Sequence, residues 1–430
     1  MAIVISGARI VCPANRLDGE GDVVVEGERI REVLPPGEAR PGPADTVIEG
    51  CGLVLAPGFV DLHVHLREPG FEHKETVATG AAAAVRGGFT SVCAMANTSP
   101  VNDSPGVTAF ILSRAREAGL ARVLPVAAVT RGLAGRELTD FRALAAAGAV
   151  ALSDDGRPVA DAALMRRALS LASEAGLVIA SHCEEPRLSE GGAINEGAVS
   201  ARLSVRGIPW AAESVAVARD AALCELTGAR LHVCHVSTAR SVEEIRAAKA
   251  RGAPITAETA PHYFTLTENA VLEKGASAKM NPPLGTERDR RAVRAGLADG
   301  VIDAIATDHA PHTASDKEGG LEAAAFGVVG LETALSLGLQ LVRDGVLTLP
   351  GLVAKMSVNP ARIFGLPHAG IAPGAPADLV LFDPDQEVTV NAATFASKGR
   401  NTPFDGMALR GAVRWTMVAG CIVFGPPGNA

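Results

Sequence analysis

Eight short apolar runs, each followed by a stretch with helical spacing, occupy the chain between residues 53 and 345. The runs centre near Phe59, Ser91, Pro125, Ala151, Val178, Val233, Thr256 and Ala304. Between them lie Ala/Arg/Glu-rich stretches such as Glu75–Arg86, Pro105–Ala118, Val159–Glu174, Ala212–Thr227 and Ser241–Lys249, whose apolar residues recur at helical intervals. Gly119, Gly176 and Gly228 follow such stretches, where a left-handed C-cap is wanted. Eight β/α alternations predict a closed (β/α)8 barrel of the TIM type rather than an open doubly wound sheet. No G-x-G-x-x-G or phosphate-binding loop follows a run, which also argues against a nucleotide-binding sheet.

The two chain ends read differently. Residues 1–52 alternate apolar and polar, with turns at Pro13-Ala14-Asn15 and Pro35-Pro36-Gly37. The C-terminal residues do the same, with Asp378–Phe382 and Val413–Val418 as strands. We read residues 1–54 and 370–430 as the two parts of one small β-sandwich, built on a barrel spanning 55–369. Two unconnected β appendages are the alternative.

At 430 residues the chain is long enough for one large and one small domain, and 47% hydrophobic residues exclude a disordered chain. Only 3% are aromatic, so Ala, Val, Leu and Gly must build the core. With a net charge of −8 and no basic-aromatic stripe, nucleic acid is not an expected partner. No apolar run approaches the length of a membrane span, and Met1–Gly7 lacks the features of a signal peptide. Seven cysteines without C-x-x-C spacing read as reduced thiols of a cytoplasmic protein. Cys183 and Cys234 adjoin histidines and, by strand alternation, should face away from them as core fillers.

The chemistry sits at the ends of the runs. The apolar run Leu53–Val60 reads as a buried strand, and His63 and His65 leave its end on one face, since side chains two apart on a strand share a side. Asp155, His182, His235 and Asp308 each end another run, at the C-terminal face where a parallel barrel gathers its site. Four imidazoles and two carboxylates suit one or two borderline-soft divalent metals, zinc first. Such a metal lowers the pKa of bound water and polarises a carbonyl. Asp308 can then serve as ligand and as the base that takes a proton and passes it to a leaving nitrogen. Arg67 can fork to a carboxylate, Asn97 offers an amide donor, and His312 lies in the loop after the last run. Together they suggest a small substrate bearing a carboxylate, with Asn281 available for another polar edge. Asp154 competes with Asp155 as a turn or capping residue. His73, His232, His262 and His368 read as structural. Asp316-Lys317-Glu318 reads as a solvated loop, next to Gly319-Gly320 and able to act as a mobile lid.

His63-Val64-His65-Leu66-Arg67-Glu68-Pro69-Gly70, Asn281-Pro282-Pro283-Leu284 and Ala306-Thr307-Asp308-His309-Ala310-Pro311-His312 resemble the characteristic stretches of dihydroorotases, in the amidohydrolase superfamily of metal-dependent barrels. The resemblance spans the chain. It implies that His63, His65 and Asp308 hold one zinc, that His182 and His235 hold a second, and that Asp155 bridges them, with one or two Zn2+ per chain and two favoured. It implies that Arg67, Asn97 and His312 bind the substrate carboxylate, while Asn281 and the backbone around Phe326-Gly327 meet the ring edge. The implied reaction is reversible closure of N-carbamoyl-L-aspartate to L-dihydroorotate with loss of water, in pyrimidine synthesis. A homodimer, and association with aspartate transcarbamoylase, are further family expectations.

Two departures stand out. Many superfamily members bridge their metals with a carboxylated lysine from the fourth strand. The run at 149–155 has no lysine, so Asp155 takes that place, as in the aspartate-bridged bacterial branch. Ala96 stands before Asn97 where the family usually has proline. The alternatives are an allantoinase or hydantoinase, against which the missing lysine and Asn281-Pro282-Pro283-Leu284 speak, and a non-catalytic partner of aspartate transcarbamoylase, against which the six retained ligands speak.

Overall fold

The structure, a computed structural model, describes residues 2–367 and 370–426. His368, read above as structural, lies outside the described residues. Eight parallel strands form one sheet in sequence order: Phe59–Val64, Phe89–Ala94, Arg122–Ala127, Ala151–Leu152, Ile179–Ser181, Leu231–Val233, Ile255–Thr259 and Ala304–Ile305. Each of the eight apolar runs supplies or adjoins one strand. The first and eighth strands meet through a parallel bridge between Val64 and His309, and His65 N–H donates to the His309 carbonyl at 2.8 Å. The sheet thus curls into a nearly closed barrel.

The helices fall close to their expected places, at Val77–Arg86, Pro105–Ala118, Ala162–Glu174, Ala211–Thr227 and Ala239–Ala250. Gly119 and Gly228 are left-handed C-caps, with φ of 61° and 65°. Thr76, Asp161 and Thr238 cap the N-termini of their helices by accepting backbone N–H bonds. Small residues let these helices lie close on the barrel. Ala81, Ala83, Ala84, Ala168 and Ala172 are buried in one continuous core with the outward faces of the strands.

The apolar run Leu53–Val60 reads as one strand, but the structure divides it at Gly58. Val54–Pro57 pairs with Ala2–Cys12 and Leu379–Thr389, whereas Phe59 begins the barrel. A Cβ on Gly58 would fall 2.2 Å from the Thr90 side chain, so only glycine permits this crossing between sheets. The antiparallel register Leu379↔Pro57 to Phe382↔Val54 joins the two chain ends. Their strands form one continuous eight-stranded mixed sheet. Along Leu379–Phe382 the side chains alternate: Leu379 and Leu381 pack with Ile5, Ile10 and Val23, while Val380 and Phe382 pack towards the barrel. Phe382 lies 6.2 Å from the Phe59 ring, which meets Phe89 edge-on at 5.7 Å. Three of the scarce aromatics therefore seal the junction between the sheets.

All seven cysteines are free. Cys183 packs on the helix side, as expected, but Cys234 clusters with Val60, Met95, Val126 and Ala180 inside the barrel. Simple alternation fails there because His235, just past its strand, adopts a left-handed φ of 36° and turns inward as well. His232, two residues before Cys234, shares its face inside the barrel, beside Glu258. Among the described residues no helix is long and apolar enough to cross a membrane.

Candidate active site and metal centre

The C-terminal ends of the barrel strands bring His63, His65, Asp155, His182, His235 and Asp308 together, all nearly or fully buried. Asp155 sits at the middle. Its Oδ1 lies 3.4 Å from His63 Nε2, His182 Nδ1 and His235 Nε2, and its Oδ2 lies 3.4 Å from His65 Nε2. Asp308 Oδ1 lies 3.3 Å from His65 Nε2 and 3.6 Å from His63 Nε2. Two ligands each ~2.1 Å from one tetrahedral metal stand ~3.4 Å apart, so the donors are spaced as co-ligands. His63 Nε2 is buried without a hydrogen-bond partner, which is costly unless an ion completes it. The triads His63–His65–Asp308 and His63–Asp155–His235 each have all their donor atoms within 4.8 Å of one another. The neighbouring carboxylate Asp154 is tied up elsewhere, accepting from the Val129 and Thr130 amides at 2.8 and 3.0 Å.

Three of the seven non-glycine residues with positive φ among the described residues belong to this site. Arg67, His235 and Asp308 are non-glycine residues with φ of 63°, 36° and 49°. Each such conformation costs on the order of 1–3 kcal/mol and persists only where its surroundings hold it.

Electrostatics also mark the centre. Burial alone would raise the Asp308 carboxyl, but His63, His65 and His235 override it and bring it down to about 2. Burial opposes the charge on His182, yet Asp155 and Glu184 hold its pKa at about 10. Protons on His63 and His182 thus balance the carboxylates, and a divalent cation would displace them and take over that charge.

The hydrogen-bond partners behind the ligands set their tautomers. His63 Nδ1 meets Glu258 Oε1 at 3.0 Å, and His65 Nδ1 meets Asn97 Oδ1 at 2.9 Å, so both rings turn Nε2 to the centre. His182 turns Nδ1 inward, 2.8 Å from His235 Nε2, with its Nε2 3.2 Å from Glu184 Oε2. Sequence reasoning missed Glu258 and Glu184. Glu184 stands two residues after His182, a signal of its own, whereas nothing local points to Glu258. That fully buried carboxylate also lies 3.1 Å from His232 Nε2, although not aligned as a linear hydrogen bond. Burial raises its pKa, but His232 and His63 win and bring it to about 2.

Above the donors lies a cleft of about 220 Å3 lined by Arg67, Asn97, Asn281, His312, Phe326 and Gly327 as well as the metal donors. Arg67 Nε donates to the Pro311 carbonyl at 3.2 Å, and burial lowers this guanidinium to about 10, leaving it charged at neutral pH. Burial, with Arg67, Lys74 and Lys317 nearby, brings His312 down to about 3, so it is neutral. Its Nε2–H donates to the Phe326 carbonyl at 2.8 Å. Asn97 uses Oδ1 on His65, which leaves its NH2 group for the cleft. Asn281 uses Nδ2 on Glu184 at 2.6 Å, and its Oδ1 is buried without a partner. Gly327 N–H is already taken by the Lys279 carbonyl at 3.0 Å, so it is not free to meet a ring edge. The Asp316-Lys317 segment is less solvated than expected. Asp316 pairs with Lys74 at 3.2 Å, and Lys317 Nζ donates to the carbonyls of Lys279 and Ala325 at 3.0 and 2.7 Å.

Among solved structures, an L-hydantoinase (dihydropyrimidinase) from Arthrobacter aurescens superposes with a TM-score of 0.87 at 26% identity, covering 98% of this chain and 96% of that one. A D-hydantoinase from Thermus sp. gives 0.79 at 27%, covering 98% and 95%. The barrel, its donor set and these neighbours define a metal-dependent cyclic amidohydrolase. A family model described as dihydro-orotase-like matches residues 52–241. A dihydroorotase of Desulforapulum autotrophicum is 51% identical over 424 residues, 99% of each chain. One from Anaeromyxobacter sp. strain K is 54% identical over 423 residues, 98% of this chain and 97% of its own. The chain belongs to the dihydroorotase family.

Proposed function

We propose that this protein catalyses the reversible ring closure of N-carbamoyl-L-aspartate to L-dihydroorotate, with loss of water, in pyrimidine synthesis. The observation that carries this reading is the charged Arg67 beside neutral His312 and the free amide of Asn97, a carboxylate receptor built next to a metal-donor cluster. Dihydroorotate bears a carboxylate on its ring, which simple hydantoins lack.

His63, His65 and Asp308 would hold one Zn2+, His182 and His235 a second, with Asp155 shared. A bound ion would supply a nucleophile at neutral pH and polarise the scissile carbonyl. Asp308 takes the proton from the attacking water and delivers it to the ring nitrogen as the amide opens, and the reverse steps close the ring. Arg67 and the Asn97 amide hold the carboxylate and so fix the ring against the centre, and His312 joins them when its Nε2–H turns from the Phe326 carbonyl to the substrate. Asn281 Oδ1, an acceptor without a partner, receives a ring N–H, and the Phe326-Gly327 carbonyls take what remains of the ring edge. In this reading residues 55–369 carry the catalytic barrel, while 1–54 and 370–430 form the supporting β domain of a cytoplasmic enzyme. The family also suggests a homodimer, and association with aspartate transcarbamoylase.

The test is ring opening of L-dihydroorotate by the zinc-loaded protein, followed by ultraviolet absorbance, with Asp308→Ala alongside. Metal-dependent turnover that vanishes in the variant supports both the reaction and the base. Turnover of hydantoin or allantoin but not dihydroorotate would assign the sister reaction instead. No turnover of any of them despite bound metal would point to a non-catalytic partner.

A further inference from the structure

The long connection between Leu379–Thr389 and Ala408–Val418 does not stay with the end sheet. Its residues 395–404 return to the catalytic face and dock there. Ala396 N–H donates to Glu332 Oε1 at 2.9 Å, and Lys398 N–H donates to Glu75 Oε1 at 3.1 Å. Gly399 lies so close to the barrel loops that a Cβ would stand 2.7 Å from Pro311 Cβ and 2.8 Å from Val329 Cγ1. This docking carries Asn401, which is 7% exposed, in between the two segments that frame the substrate cleft.

Asn401 is fully engaged with backbone. Its Oδ1 accepts from His312 N–H at 2.9 Å. Its Nδ2 donates to the Ala310 carbonyl at 2.9 Å and to the Gly327 carbonyl at 3.1 Å. Its own carbonyl accepts from Val329 N–H at 2.9 Å. Because every side-chain partner is a backbone group of fixed role, the amide has only one workable orientation. Only a short primary amide fits this pattern. Aspartate lacks both donors, serine has one polar atom, and glutamine is a methylene longer. The segments it joins approach closely: Gly327 has φ 126°, and a Cβ there would meet Ala310 Cβ at 2.7 Å.

We infer that Asn401 is a positioning residue for substrate recognition, a clamp from the end-sheet domain that holds the Ala310–His312 and Phe326–Gly327 segments against each other beside the carboxylate and ring subsites. It touches neither substrate nor a metal donor. It acts through the backbone of Ala310, whose next residue Pro311 gives its carbonyl to Arg67, and of His312, whose side chain meets the Phe326 carbonyl. This inference rests on the proposed reading of Arg67 and His312 as carboxylate receptors. It also gives the β domain a catalytic consequence, since part of the pocket's geometry is held by a residue far along the chain from the barrel strands.

The experiment uses the full-length zinc-loaded protein and its Asn401→Ala and Asn401→Asp variants, with steady-state kinetics on L-dihydroorotate, metal content, and amide hydrogen exchange over residues 308–329. We expect Asn401→Ala to raise KM by about tenfold or more while kcat stays within about threefold and metal content is unchanged, because a small displacement of a binding group weakens substrate positioning. Exchange over 308–329 should rise. Asn401→Asp keeps an acceptor for the His312 amide but loses both donors, so it should raise KM with a smaller change at His312. A merely structural role lowers the fraction of folded enzyme, which reduces kcat at unchanged KM. That outcome, or faster exchange with unaltered KM, overturns the inference. If the wild-type protein does not turn over dihydroorotate, the functional reading fails, and the substrate-positioning role that rests on it falls with it.

Discussion

The two halves of the metal centre are built differently. Behind His63 and His65 stand Glu258 and Asn97, at 3.0 and 2.9 Å; Asn97 follows the neighbouring strand, and Glu258 reaches in from Ile255–Thr259, two strands away round the barrel. Both rings are therefore locked in one tautomer by buried groups. Behind His182 stands Glu184, which is only partly buried and divides itself among His182, Ser189 and Asn281. His235 Nδ1 is buried with no partner at all. His182 Nδ1 and His235 Nε2 lie 2.8 Å apart, closer than the roughly 3.4 Å expected of tetrahedral co-ligands. The first half is preorganised, whereas the second must relax to accept an ion. Asp155 stands equally close to both, its Oδ1 3.4 Å from His63 Nε2, His182 Nδ1 and His235 Nε2, so the difference between the halves lies in the partners behind the histidines.

The largest test of this asymmetry is direct. Asp308→Ala removes a donor of the tight half and the proposed base together, and ring opening should fall by about 10³-fold or more. His235→Ala should cost less than His63→Ala, measured by turnover at fixed zinc. Equal losses would put the two halves on the same footing. Chelation should be biphasic: on dilution into chelator, one equivalent of metal should leave in a fast phase and the other in a slow one, followed with a chromophoric indicator. His63→Ala should abolish the slow phase and His182→Ala the fast one. A single phase carrying both equivalents would remove the distinction.

The next test concerns the supporting carboxylates. Partners behind metal ligands are worth about 10–100-fold in metal affinity. Glu258→Leu should approach the upper value, because it leaves His63 Nδ1 buried without its acceptor and removes the carboxylate beside His232. Glu258→Gln, which keeps one acceptor oxygen, should recover most of it. Glu184→Ala should approach the lower value in metal affinity, yet raise KM as well, since it frees Asn281. Competition with a chelator of known affinity, run beside thermal melts, reads both.

Much of this was legible in the sequence because chemistry and periodicity coincided. Asp155, His182, His235 and Asp308 each end an apolar run, and a barrel gathers run ends at one face. Where legibility failed, the cause was non-local or backbone-borne. The parity argument that paired His63 with His65 holds for those two, but misplaces Cys234, because the left-handed backbone at His235 breaks the alternation. The run at 53–60 looks like one strand because both sheets want the same apolar alternation, and only the contact between Gly58 and Thr90 reveals the break. Glu258 lies 195 residues from the histidine it orients, so no spacing could link them. Alternation in the chain ends foretold strands that join, but the pattern is blind to whether the ladder is continuous through one sheet.

The smallest effect in the series is one of pH, and it falls on the looser half. Burial raises the Glu184 carboxyl, but His182, Ser189 and Asn281 outweigh it and bring it down from its ordinary 4.5 to about 2. A carboxyl depressed in the fold contributes stability that is complete above its unfolded value and is lost as pH falls through its folded one. At neutral pH the contribution is therefore constant. It begins to fade below about pH 4.5, as the unfolded chain binds protons that the folded one refuses. Glu184→Gln has no such proton to exclude. Its melting temperature at pH 7 should lie slightly below that of the wild-type protein, and the gap should narrow as pH is lowered from 5 towards 4. A gap that widens instead would mean that the carboxylate is not held ionised by His182, and the second half would then lack the one supporting charge assigned to it.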